Sequence, residues 1–386
     1  MDKNSVFVFT FPDVMGGVSS FNYNVINFSN LKKNCKIRVL LIREDEDQRP
    51  NFYDVFYGIE TIRFQYSKIE NQYFVCKRLY ALIGEEPGAL ICDNNITLLT
   101  AQIFPIKKTI FHLIHDFFYV KQNIRYQSVI DVAIAHSSFF SDCIFSSAPE
   151  LFNKRALFIP YGVKQLNSFP EKCQNENLKI VFLGRLEKSK GVDLLNSIDD
   201  QLKSKGIVVD WLIIGKGSMN EFLQTQWKGK ENVLFRAATT NAEIYEWIIQ
   251  QDIFVFPTTF EGTPVSILEC ISNGIVTLVS DLPGGIRDIV TDDIGFKVPI
   301  DDVNSYVTVI AKLDRDRELL RSMQLASWKK AVLNYDISIN ADDYFREFME
   351  YEKYKRESKS IGYNYLSGLD KSYIPNAIVR LIRKIK

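Results

Sequence analysis

The chain has 386 residues, which at ~150 residues per domain points to two or three domains. Hydrophobic residues make up 46% and charged residues 24%, an ordinary globular profile that excludes disordered, collagen-like and low-complexity classes. Lys plus Arg is 47 and Asp plus Glu is 47, so the chain is neutral and gives no reason to expect nucleic acid as a partner.

No run approaches the ~18 consecutive apolar residues of a membrane span. The apolar run at 5–11 enters Pro12-Asp13 without a small-residue cleavage site, so it reads as a buried first strand rather than a signal peptide. The cysteines Cys35, Cys76, Cys92, Cys143, Cys173 and Cys270 form no C-x-x-C pair, and buried free thiols in a reducing cytoplasm are expected. Three histidines, His112, His115 and His136, argue against a His-rich metal site.

Short apolar runs alternate with longer amphipathic ones, which predicts α/β units with mostly parallel sheets. Strands are expected at 5–11, 36–42, 61–65, 89–92, 109–114, 131–135 and 156–160, with helices between most of them. Residues 164–177 are polar, contain Pro170 and lack apolar periodicity, so they read as a linker. The alternation then restarts. A strand at 179–183 precedes a helix at 192–205 that Gly206 ends. Strands at 207–214 and 232–235, a helix at 241–250, a strand at 253–256, a helix at 264–272 and a strand at 275–279 follow. Helices at 318–333 and 342–354 precede a basic amphipathic segment at 374–386. Two α/β domains usually leave a cleft, and open α/β sheets bind ligands beyond the carboxyl ends of their strands. The chemistry is therefore expected on loops that follow strands.

Four such loops carry candidates. After the strand ending at Phe256, Glu261-Gly262-Thr263-Pro264-Val265-Ser266 leads to Glu269. Thr263 suits the N-cap and Pro264 the first helical position, so the Val265 and Ser266 amides would form an anion or hydroxyl site. Glu261 and Glu269 could both face one ligand; the bland alternative is two solvated carboxylates. Gly184-Arg185-Leu186-Glu187-Lys188-Ser189-Lys190-Gly191 follows another strand. Its glycines permit unusual backbone angles, and Arg185 with Lys190 suits a diphosphate, the alternative being a solvated basic loop. Gly16-Gly17 follows the first strand and could present amides to a phosphate, or form a plain turn. His115 ends the strand at 109–114, as a cleft residue or as a packed one.

Taken together, these residues resemble the GT-B-fold retaining glycosyltransferases of family 4 (glycosyltransferase group 1). The resemblance rests on Glu261-x₇-Glu269 with Gly262 and Pro264, on Gly184-Arg185-Leu186-x₃-Lys190-Gly191, and on Gly16-Gly17-Val18. Ile159-Pro160-Tyr161-Gly162-Val163 and Ser280-Asp281-Leu282-Pro283-Gly284-Gly285 add to it, and the matches run in family order from about residue 8 to about residue 290. Tyr161 stands where the family commonly has Asn, and Arg236-Ala237-Ala238 replaces a usual Gly near the base pocket. Lys216-Gly217-Ser218 follows Gly215 where Gly-x-Gly-Pro is common.

The resemblance implies two Rossmann-like α/β domains facing across a cleft, with a C-terminal helix crossing back to the N-terminal domain. The expected division is 1–164 on the acceptor side, joined by about 366–386, and 165–365 on the donor side. It implies that Arg185 and Lys190 hold the diphosphate of a nucleotide sugar, UDP- or GDP-linked. Glu261 would hold sugar hydroxyls with the amides from Thr263 to Ser266, and Glu269 the ribose. Gly16 and Gly17 would approach the phosphates or acceptor, and His115 the sugar's 6-position. Neither a metal nor another cofactor is implied. The acceptor would be a glycan or lipid-linked hydroxyl in bacterial surface polysaccharide synthesis. The protein would be cytoplasmic, free or peripheral on the membrane's inner face.

Rival readings remain open. A glycosidase would also use two carboxylates but needs no cationic pair. A metal-dependent GT-A transferase would use Asp45-Glu46-Asp47. A dinucleotide oxidoreductase would use Gly215-Lys216-Gly217, although Asn220 stands at the third glycine position. An inactive GT-B partner subunit would have no need of the four charged residues. In the tail, Ile378, Leu381, Ile382 and Ile385 line one face among Arg380, Arg383, Lys384 and Lys386. That face lies on an anionic membrane, docks on the N-terminal domain, or does both.

Overall fold

The computed structural model describes residues 5–52, 55–173, 176–238, 241–357, 359, 361–362 and 365–385. They form two units, Met1–Pro160 with Ser338–Lys386, and Tyr161–Ile337.

The first unit holds β1 (Val6–Pro12), β2 (Lys36–Glu44), β3 (Glu60–Tyr66), β4 (Ala89–Cys92), β5 (Thr109–Ile114), β6 (Val132–Ala135) and β7 (Ala156–Phe158). They pair in the order β3-β2-β1-β4-β5-β6-β7, all parallel. The apolar run that could pass for a signal peptide is the central strand, buried from Val6 to Phe11. Its period of two puts Val6 and Val8 into a core with Val75, Leu79 and Leu90. Phe7 and Phe9 point to the other face. There Phe9 meets Phe345 and Phe348 at ring distances of 6.1 and 5.7 Å, and Phe7 meets Tyr351 at 6.2 Å.

That aromatic face explains where the chain returns. The helix Ile337–Met349 and the turn Tyr351–Tyr354 supply its cover, so the first unit regains the chain at residue 338 rather than at about 366. The forward boundary falls after Pro160 rather than 164. Gly162 lies just beyond it, where a Cβ would stand 2.5 Å from the Cα of Ile337. The Val163 amide bonds the Tyr335 carbonyl at 2.8 Å, and the Ile337 amide bonds the Val163 carbonyl at 3.1 Å. The glycine of the Pro-Tyr-Gly-Val stretch thus serves a backbone-to-backbone approach.

The second unit holds β8 (Leu178–Leu183), β9 (Val209–Ile214), β10 (Val233–Arg236), β11 (Ile253–Phe256), β12 (Val276–Ser280) and β13 (Gly295–Val298). They pair in the order β10-β9-β8-β11-β12-β13, again parallel. Strand β13 and the helices Gly285–Ile289 and Val303–Arg315 have no counterpart among the expected elements. The expected helix at 192–205 is a 3₁₀ turn, Val192–Leu194, running into the helix Leu195–Ser204, with Gly206 left-handed at φ 73° just past its end.

The polar stretch at 164–177 is no free linker. Lys172 Nζ donates to the Gln251 carbonyl at 2.6 Å, Gln250 Nε2 donates to the Glu171 carbonyl at 3.0 Å, and Phe169 packs on Trp328 at 6.0 Å. Residues 174–175 of that stretch lie outside the described residues. None of the six cysteines is in a disulfide among the described residues, but only Cys76, Cys92 and Cys270 are buried; Cys173 is exposed. Among the described residues no helix is long and apolar enough to cross a membrane.

Candidate functional site

In the second sheet the strand order reverses between β8 and β11. Ligands of open α/β sheets gather at the carboxyl ends beside such a switch point. The loop carrying Arg185 and Lys190 leaves β8, and the loop carrying Glu261 leaves β11. The two loops are laced together. Ser189 O accepts from Thr259 N at 2.9 Å and from Thr258 Oγ1 at 3.1 Å. Lys190 Nζ pairs with Glu261 Oε1, and the two side chains are 12% and 13% exposed. Lys190 also lies over the Phe256 ring, 5.8 Å from its centre.

Gly191 makes this lacing possible. Its φ is +65°, and a Cβ would lie 1.9 Å from Pro257 O. Gly191→Ala is expected to cost at least about 2 kcal/mol, from left-handed strain plus the clash. Urea unfolding of the full chain measures it, and an unchanged midpoint would refute the close approach. Gly184, which could permit an unusual angle, does not adopt one. Its φ is not positive, and a Cβ would meet Phe182 and Phe256 at an ordinary 3.5 Å. Gly215 and Gly217, candidates for a dinucleotide fingerprint, instead admit the β8 loop. Their Cβ atoms would lie 1.9 Å from Gly184 O and 2.3 Å from Leu186 O.

Arg185 stands apart. Its side chain is 67% exposed and bonds Glu187 Oε1 at 2.7 Å, a surface pair worth little that leaves the guanidinium able to swing.

The helix after Glu261 starts one residue later than the sequence predicts. Pro264 is the N-cap, with φ −73° and ψ 111°, and Val265–Ser272 is helical. No side chain caps it, so its first amides keep their donors for another acceptor. Thr263 is therefore not the cap. Its Oγ1 is buried without a hydrogen bond among the described residues. Gly285 presses against this turn: its amide bonds Gly262 O at 3.0 Å, and a Cβ would lie 2.7 Å from Thr263 Oγ1. Glu269 sits half-buried in the second turn, with its carboxyl pushed up to about 7 by burial. The Tyr245 phenol is raised by burial and by the nearby Glu269 charge.

The first unit has its own switch point, between β1 and β4. Gly16-Gly17 follows β1 and opens the helix Gly17–Phe28 without a side-chain cap; neither Cβ would meet anything within 4 Å. His115 follows β5 and is buried, its Nε2 3.4 Å from Asp93 Oδ2. Asn22 Nδ2 donates to the same oxygen at 2.6 Å. Asp93 Oδ1 is buried with no hydrogen bond among the described residues, and burial raises the carboxyl. Sequence reasoning singles out neither Asn22 nor Asp93. The available signal is position, since Asp93 directly follows β4 at its carboxyl end.

The Asp45-Glu46-Asp47 candidate is taken up locally. Asp47 pairs with Arg49 at 2.6 Å, which holds its carboxyl down at about 2, and Ser67 Oγ bonds Glu46 at 2.6 Å.

Two Rossmann-like domains of this strand order form a GT-B architecture. Residues 163–329, nearly all of the second unit, match the family described as glycosyl transferases group 1. The chain is 30% identical over 173 residues to sulfoquinovosyl transferase SQD2 of Arabidopsis thaliana, covering 44% of this chain and only 32% of that one. It is 27% identical over 335 residues to the O-antigen biosynthesis glycosyltransferase WbnH of Escherichia coli, covering 79% of this chain and 92% of that one. Among solved structures, Anabaena HepE in complex with UDP and glucose matches with a TM-score of 0.70 at 13% identity, covering 89% of this chain and 99% of that one.

Proposed function

We propose that this chain is a retaining, metal-independent hexosyltransferase. It moves a sugar from a UDP- or GDP-linked donor to a hydroxyl of a glycan or lipid-linked acceptor, in bacterial surface polysaccharide synthesis in the cytoplasm. The observation that carries the reading is the Lys190–Glu261 pair at the carboxyl ends of β8 and β11, beside the uncapped start of Val265–Ser272. The O-antigen role in the name of WbnH, and the UDP and glucose bound to HepE, support the substrate class.

Glycosyl transfer builds positive charge on the sugar and negative charge on the departing diphosphate. Lys190 and Arg185 are assigned to the diphosphate, where fixed cations act most strongly as charge develops. The C1–O bond to the diphosphate breaks as a bond from C1 to the acceptor oxygen forms on the same face. The acceptor proton passes to a phosphate oxygen, so no carboxylate nucleophile is needed. Glu261 is assigned instead to accepting from sugar hydroxyls, along with the amides from Thr263 to Ser266. Glu269 is assigned to the ribose hydroxyls. On the first unit, Gly16-Gly17 is assigned to phosphate or acceptor and His115 to a sugar hydroxyl.

The test is a thermal-shift titration with UDP-, GDP-, ADP- and TDP-sugars in EDTA, with nucleoside diphosphate release followed alongside. Stabilisation of several degrees by one nucleotide family, lost in Lys190→Ala, is expected. Absence of binding, or a requirement for a divalent metal, would overturn the assignment.

A further inference from the structure

The helix Asn376–Ile385 is anchored by one face and leaves its apolar face outside. Positions 376, 379, 380 and 383 follow i, i+3, i+4, i+7 spacing and share one side. Asn376 Oδ1 accepts from the Asn71 amide at 2.8 Å, Val379 is fully buried, Arg380 reaches Glu70 at 3.2 Å, and Arg383 reaches Asp370 at 2.7 Å. Asn71 Nδ2 also donates to Lys371 O at 3.0 Å and Ile374 O at 2.9 Å, which fixes the approach to the helix. Docking is therefore done mainly by polar side chains, not by the apolar stripe that the sequence offers for it.

Most of the stripe looks outward, with Ile382 half-buried. Ile378, Leu381 and Ile385 are 49%, 63% and 78% exposed, and Tyr373, just before the helix, is 79% exposed. Four large apolar side chains on one short segment are more than the scattered exposure of an ordinary surface. Their surroundings decide the occupant. Residues 371–386 hold five cations and no acidic residue, in a chain whose net charge is zero; Arg380 and Arg383 are paired with Glu70 and Asp370, while Lys371 and Lys384 have no ion pair among the described residues. Lys384 is exposed beside the stripe. A second copy of this surface would bring like charges together. A partner that is apolar within and negative at its face suits it, with Tyr373 at the boundary between the two.

We infer that the face formed by Tyr373, Ile378, Leu381 and Ile385 lies on an anionic lipid bilayer, with Lys384 at the headgroups. The helix is held to the first unit by the opposite face, so binding needs no unfolding. This holds independently of the donor reading.

The test is cosedimentation of the full chain with vesicles of phosphatidylcholine, with and without phosphatidylglycerol. Binding to the phosphatidylglycerol vesicles alone, weakened by salt, is expected. The Leu381→Ser/Ile385→Ser variant should lower the bound fraction at least about tenfold, because it removes the apolar contact. Lys384→Glu, which leaves the apolar residues in place, should also weaken binding. The thermal midpoint of each variant should match the parent, since the changed side chains are exposed. Failure of the parent to bind anionic vesicles, or equal binding by the double variant, would overturn the inference. A parent dimer that the double variant dissociates, without vesicle binding, would overturn it in favour of a second copy.

Discussion

Lys190→Ala is expected to lower the transfer rate by about 10²–10³-fold, the usual effect of removing one group that stabilises developing charge. The kcat should fall in addition to donor affinity, because the leaving diphosphate is still more negative in the transition state than in the bound donor. The same substitution has a structural effect that must be separated. Lys190 and Glu261 are both largely buried, so removing the lysine takes the facing cation from a carboxylate in a poorly hydrated place. Destabilisation of about 1–3 kcal/mol follows. The double variant Lys190→Met/Glu261→Gln removes both charges together and should regain most of that stability. It should not regain activity, since the cation is still missing. Recovery of activity with stability would mean that Lys190 only braces the loop, and the leaving-group role would be refuted. Single-turnover rates and urea unfolding of the same preparations distinguish the two outcomes.

The separate parts of this site are legible in the sequence because each follows a short apolar strand and opens a turn with glycine or proline. Their meeting is not. Lys190 and Glu261 pair only because β8 and β11 are neighbours, and strand order is not written in either motif. The same limit hides Asp93 and Asn22, which come from different elements; Asp93 meets both Asn22 and His115. Local composition misleads elsewhere. The helix Val303–Arg315 carries Val303, Val307, Thr308, Val309 and Ile310, a β-branched content that weakens a helix signal. Burial of Tyr306, Val307 and Ile310 against the unit outweighs that propensity. Strand β13 is four residues long, begins with Gly295 and leaves Phe296 and Lys297 half-exposed, so it shows no apolar run. By contrast the alternating Phe7, Phe9 and Phe11 announce a central strand, and their large rings require the cover that draws the chain back at residue 338.

Glu269→Gln is expected to weaken donor binding by about 10–100-fold at neutral to alkaline pH, the range for losing hydrogen bonds to a charged acceptor. Its pH dependence is the sharper result. Burial raises the Glu269 carboxyl to about 7, so the group is protonated below that value and ionised above it. Ribose hydroxyls donate better to a carboxylate than to a carboxylic acid, so parent affinity should climb between about pH 6 and pH 8. The affinity of Glu269→Gln should stay flat over that range. Stability should move the opposite way. In the unfolded chain the glutamate ionises near its ordinary value of 4.5, while the folded chain keeps its proton up to about 7. Between those values the folded state holds more protons, so stability falls as pH rises and levels off above about 7. Replacing the acid by the amide removes this slope. Glu269→Gln should therefore be more stable than the parent at about pH 8 and bind donor less well there. A bound nucleotide would lower the carboxyl's affinity for a proton, so saturating donor should flatten the parent's stability slope as well. Parallel melting and donor-titration curves across this range test both halves. If the Glu269→Gln curves follow the parent's slope, Glu269 is not the titrating group. If stability changes as expected while donor affinity does not, Glu269 is a half-buried acid with no part in holding the ribose.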